Sequence, residues 1–130
     1  MSTSRATIAL TAEADAAATE VQDRFSYFKD KMDVAKIGFA WAVARDVVPD
    51  RESGWRIGGT TWAMSSIDRD GQMVQLADAL FPDRAEDRAV ICETLISKGL
   101  VLIGQELRSG KIVTLQDLLG PAPKRKATAV

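Results

Sequence analysis

Imidazoles, thiols and paired carboxylates are the side chains that most often carry chemistry, and this chain has none of the first and one of the second, Cys92. Without histidine, the commonest general base and the commonest nitrogen ligand for zinc or iron are gone. A single thiol builds neither a thiolate cluster nor an intrachain disulfide. Cys92 falls inside an apolar stripe, so it reads as a packed thiol. The densest acidic group, Asp83, Glu86 and Asp87, sits where a helix is expected to begin, and the helix dipole accounts for it there. Asp68-x-Asp70-Gly71 has the look of a calcium loop, but with Gly71 in the sixth position Ala77 takes the twelfth, where a bidentate glutamate is required. Gly58-Gly-Thr-Thr61 lacks the lysine and the spacing of a phosphate loop. These exclusions predict a protein that is not an enzyme, with no catalytic residues, no metal and no cofactor.

The charges nearly cancel, 17 basic against 18 acidic. Three of the basic residues lie in the run Lys124-Arg125-Lys126, which leaves 14 in the remainder of the chain. A nearly neutral protomer can hold nucleic acid only through a local patch or through a surface repeated in an oligomer. No apolar run approaches the roughly 18 to 20 residues that cross a bilayer, and no charged leader with an apolar core opens the chain. A cytoplasmic protein without membrane contact is expected.

The elements that would position a site are legible from their periodicity. Arg5 to Leu10 alternates as a short half-buried strand does. Thr11 can cap a helix over about 12 to 29, acidic in its first turn, with Ala14, Ala17, Ala18, Val21, Phe25 and Phe28 along one face. Small residues at its start admit close approach of another helix. After the charged turn Lys29-Asp-Lys31 comes the longest apolar run, 31 to 48. Two stripes there, Val34, Ile37, Trp41, Ala44 and Val48 beside Phe39, Val43 and Val47, define a core helix capped by Asp33 and ended by Pro49.

Residues 50 to 59 read as a loop, Thr60 to Met64 as extended, and Ile67 to Gly71 as a turn. Met73, Leu76, Ala77 and Leu80 form a short helix stopped by Pro82. Asp83 opens a longer one, with Ala85, Ala89, Cys92, Leu95 and Ile96 inward. Gly99 either breaks it or lets a neighbour come close, and helical spacing resumes to Gly110. Leu115, Leu118 and Leu119 close the fold. The fold class is therefore mainly α, one small helical domain over 1–120 with a short N-terminal strand, followed by a flexible basic tail over 121–130. The order strand, helix, turn, helix in the first half is like that of a ribbon-helix-helix protomer, and equally like a helical hairpin behind a frayed N-terminus.

Two patches carry a family resemblance. Phe25-Ser-Tyr-Phe-Lys-Asp-Lys-Met-Asp-Val-Ala-Lys-Ile-Gly-Phe-Ala-Trp-Ala42 looks like a lysine-bearing turn entering an apolar helix. Glu93-Thr-Leu-Ile-Ser-Lys-Gly-Leu-Val-Leu-Ile103, followed by Leu115-Gln-Asp-Leu118, looks like a late helix with a basic-Gly step and closing leucines. Together they cover about half the chain and resemble the DndE family, the small E subunit of the bacterial DNA phosphorothioation system. That resemblance implies a compact helical protein that forms a homo-oligomer and binds double-stranded DNA, intact or nicked, as an accessory to a modification or antiviral defence complex. It also implies that Lys29, Lys31 and Lys36 neutralise phosphate. Arg5 and Arg45 are added to this set from the expected layout of the elements.

Two other functions fit the same sequence. The chain could be a structural subunit docking on a larger protein partner in a defence complex, with Trp55 and Trp62 in loop-like sequence as partner-binding rings. It could also be a ribbon-helix-helix regulator that reads base edges through Arg5 and Thr7 on paired strands.

Overall fold

The computed structural model describes residues 6–120. The elements follow the order β1 (Thr7–Thr11), α1 (Ala12–Arg24), α2 (Lys31–Ala44), β2 (Ile57–Ala63), α3 (Met64–Ile67), α4 (Gln72–Leu80), α5 (Arg88–Ser109) and α6 (Leu115–Leu119). The protein is a small, mainly α domain with one two-stranded antiparallel sheet. Arg5 and the basic tail 121–130 lie outside the described residues.

α5 is the axis on which the rest is assembled. Thirteen of its residues, from Ala89 to Leu107, are buried, because α2, α1, α4 and β1 all pack against it. A helix apolar on so many sides has to sit inside a fold rather than on it. It begins later than the sequence suggests. Asp87, not Asp83, is the N-cap, its carboxylate accepting from the Ala89 N–H at 2.9 Å, and Ala85 lies exposed ahead of the helix. Gly99 does not break it: the helix runs straight through to Gly110, whose φ of 85° forms the left-handed cap.

The reason for Gly99 is the crossing with α2. A Cβ at Gly99 would lie 2.7 Å from the carbonyl carbon of Gly38, and one at Gly38 would lie 2.7 Å from Cγ of Leu100. The two helices therefore touch backbone to backbone. α1 uses the same device more mildly: its buried Ala14, Ala17 and Ala18 let it close on α5 at Gly104, where a Cβ would meet that of Ala17 at 3.0 Å.

α2 starts and stops differently from its expected limits. Asp30 is the N-cap, accepting from Met32 N–H at 3.0 Å, and Asp33 belongs to the first turn. The helix ends at Ala44, five residues before Pro49. Asp46 takes a φ of 57°, and the N–H groups of Asp46 and Val47 return to the carbonyls of Val43 and Ala42 at 3.2 and 3.0 Å. That is the double hydrogen bond of a left-handed helix stop, which Asp tolerates better than most side chains. α1 ends at Arg24 rather than 29, because Phe25 is already extended.

The first half keeps the expected strand–helix–helix order, but the partner of β1 is β2 of the same chain, with Thr7 against Ala63, Ile8 against Trp62 and Ala9 against Thr61. The other edge of β1 is met by α5. Glu93 Oε2 accepts from the Ala9 N–H at 2.7 Å and Ser97 Oγ from the Thr11 N–H at 3.2 Å.

Candidate functional site

The lysines lie in and just beyond the α1–α2 turn, which is built on phenylalanine. Phe25 N–H closes on Val21 O and Phe28 N–H on Phe25 O, at 2.9 and 3.1 Å. This tight turn buries Phe28 and half-buries Phe25, which leaves Tyr27 outside with 67% of its surface exposed. Lys29 follows on the rim, exposed, and Lys36 is exposed on α2. Five residues separate Lys31 from Lys36, about 140° of helix rotation, so the two point away from the axis on different sides. The side chains of Lys29 and Lys36 have no hydrogen-bond or ion-pair partner among the described residues.

Lys31 does a different job. Its Nζ lies 2.8 Å from Asp15 Oδ1 on α1, and the same oxygen accepts from Thr60 Oγ1 of β2 at 2.9 Å. Burial opposes ionisation of Asp15, but the hydrogen bonds from Lys31 and Thr60 outweigh it and hold the carboxyl below its ordinary range. One carboxylate thus ties three elements together. Lys31→Ala is expected to lower stability by about 1 kcal/mol, measured by urea unfolding, since both side chains keep partial contact with water. A carboxyl whose folded pKa lies below its unfolded one stabilises fully above the unfolded value and loses that contribution as pH falls through the folded value. The difference between the parent and Lys31→Ala should therefore shrink on acidification below the normal aspartate range.

Arg45 lies at the far end of α2, roughly 20 Å from Lys31 along the helix. Its guanidinium stacks over Trp41 at 3.6 Å from the ring centroid. Burial works against its charge and the field of Glu106 supports it. The cations expected to act together are thus divided: Lys29 and Lys36 are free in and just past the turn, Lys31 is locked in an ion pair, and Arg45 lies at the opposite end of α2.

The tryptophans also separate. Trp62 is not in a loop. It sits on β2 opposite Ile8, half-buried against the core. Trp55 lies in the loop before β2 with Arg51 over its ring at 5.1 Å. Together with Val47, Val101 and Leu102, it lines a groove of about 670 Å³.

Of the acidic group Asp83, Glu86 and Asp87, the last two are held by local bonds, Asp87 as the cap of α5 and Glu86 to Arg84. Arg84 pairs with Asp50 and Glu86, both at 2.7 Å, and its hydrogen bond brings the Glu86 carboxyl down to about 2. Among the described residues no group of three or more histidine, cysteine, aspartate or glutamate side chains is placed to hold a metal ion. Cys92 is fully buried. Burial, followed by the fields of Asp68 and Asp87, pushes its thiol up to about 12. We expect native protein at pH 8 to resist alkylation by iodoacetamide and to react only on unfolding, a contrast read by mass spectrometry. Among the described residues no helix is long and apolar enough to cross a membrane.

Periodicity does not say which of the aromatic and apolar residues stay at the surface. Tyr27 continues the aromatic end of α1 by type, but it lies in the turn after that helix with its ring outside. Leu76 and Leu80 fit an inner stripe by spacing, yet they are 38% and 46% exposed on α4, whose buried side is Met73 and Ala77. The chain matches no protein-family model, no curated protein and no solved structure.

Proposed function

We propose that this chain is a non-enzymatic accessory subunit that binds the backbone of duplex DNA, intact or nicked, as a homo-oligomer within a bacterial DNA-modification or phage-defence assembly of the phosphorothioation kind. The observation that carries this reading is the pair of free, exposed lysines, Lys29 and Lys36, beside the α1–α2 turn. Lys31 supports it indirectly by fixing the start of α2 against α1 and β2. Two free lysines per protomer give weak binding, and repetition around a symmetric oligomer multiplies them. Each phosphate neutralised adds about −0.9 to the slope of log affinity against log salt. Gel-shift titration against intact and nicked duplex at two salt concentrations, with oligomer mass measured in parallel, tests this. A Lys29→Ala, Lys36→Ala variant that keeps its oligomeric state should bind less tightly and with a shallower salt slope. Unchanged binding in that variant would remove these lysines from the interface.

One observation favours a second reading, a structural subunit docking on a larger protein of the same kind of assembly. Leu76 and Leu80 present an exposed apolar pair one turn apart on α4, the i±4 ridge that packs into the groove of another helix. That reading expects no retention of DNA at low salt. The ribbon-helix-helix alternative draws less support, since α5 side chains take the Ala9 and Thr11 N–H groups on the outer edge of β1.

A further inference from the structure

The chain has one tyrosine, four phenylalanines and three tryptophans, and seven of these eight rings are buried or half-buried. Tyr27 is the exception, 67% exposed at the tip of the α1–α2 turn. An exposed ring costs hydration free energy, and the turn is built so that this one is held out and held still. Phe28 is anchored in the core, and its ring meets that of Tyr27 edge-on, centroids 5.0 Å apart with an 87° interplanar angle. That contact restrains the tyrosine while leaving most of it open. Lys29, exposed and without a partner, is two residues away. The acid between Lys29 and α2, Asp30, spends its carboxylate on the Met32 N–H as the helix cap.

We propose that Tyr27 is a base-stacking residue: it takes an unpaired base of the bound DNA against its ring while Lys29 neutralises the adjacent phosphate. A restrained aromatic surface beside a free cation is what single-stranded nucleic acid requires, because every base offers a π-face and stacking is tolerant of sequence. The inference rests on the DNA-backbone reading and adds to it a preference for unpaired over fully paired DNA. Intact duplex keeps its bases stacked on one another and meets only the lysines.

The test compares an intact duplex with the same duplex carrying a one-nucleotide gap opposite a 5-iododeoxyuridine. Parent protein should prefer the gapped duplex, and long-wavelength irradiation should cross-link the iodinated base to Tyr27. Tyr27→Ala, whose folding is checked by circular dichroism and oligomer mass, should bind the gapped duplex about tenfold more weakly, a typical loss for one stacked base. Its affinity for intact duplex should stay within about twofold, and Tyr27→Phe should behave as the parent. Equal weakening on both duplexes by Tyr27→Ala, or no weakening on either, overturns the stacking role and leaves the backbone reading intact. Failure of the parent to retain either duplex at low salt overturns both.

Discussion

Replacing Gly99 with alanine is expected to destabilise this protein more than any other single methyl addition, by about 3 kcal/mol or more, the upper end of what overpacking costs. The added Cβ would lie 2.7 Å from the carbonyl carbon of Gly38, and the obstacle is backbone, so no rotamer change relieves it. Either α2 must retreat along its whole contact with α5 or the crossing must be lost. Gly38→Ala makes an instructive control. Its Cβ would meet the Leu100 side chain at 2.7 Å and the Ile96 carbonyl oxygen at 3.0 Å, and a leucine can turn partly aside. Both glycines are helical, so the roughly 1 kcal/mol of backbone entropy recovered on replacement is common to the two variants and the obstacle decides the difference. Gly38→Ala should therefore cost clearly less than Gly99→Ala. Urea unfolding of the two variants reads the difference, and an equal or smaller loss in Gly99→Ala would contradict the close crossing.

Truncation of Glu93 should have the next largest effect. This carboxylate is buried, accepts from the Ala9 N–H through Oε2, and pairs through Oε1 with the Arg51 guanidinium. Arg51 in turn donates from Nε to Thr94 Oγ1 at 2.8 Å, and that hydroxyl donates to Val90 O at 2.8 Å. Glu93→Ala leaves a strand N–H without its acceptor and a guanidinium without its counter-charge. A loss of about 3 kcal/mol follows, toward the lower end for a broken buried pair, because the Arg51 side chain is 29% exposed and can take water. Glu93→Gln keeps an acceptor for Ala9 and should cost about half as much. Amide exchange separates the two: Ala9 should lose protection in Glu93→Ala and retain most of it in Glu93→Gln. Retained protection in Glu93→Ala would mean that β1 does not depend on this carboxylate.

The sequence disclosed most of the helices and few of their ends. The apolar run through α2 was plain from its two stripes, yet Asp30 and Asp33 are chemically equivalent candidates three residues apart, and only the turn geometry decides that Asp30 caps. Pro49 is the obvious helix stop by residue type, but the stop is made earlier by Asp46, in a conformation that its residue type permits but does not announce. Asp83 and Asp87 repeat the problem at the start of α5. β2 was only partly legible because Gly58 and Gly59 carry the composition of a loop, and what makes a strand of them is pairing with β1 some fifty residues away. The same distance effect governs the lysines. Charge and spacing treat Lys29, Lys31 and Lys36 alike. Asp15, which removes Lys31 from the exposed set, sits on another helix, where no local pattern connects the two.

The sealed thiol has a practical side. A protein with a single native sulfhydryl, and that one buried on the inner side of α5, needs no cysteine-free background before a fluorophore is attached. Asp23→Cys on α1 or Ala40→Cys on α2, both exposed and outside the proposed DNA contacts, would each offer maleimide one accessible target. Energy transfer between copies, or from dye to labelled oligonucleotide, could then measure the spacing of α1–α2 turns in whatever assembly the chain enters.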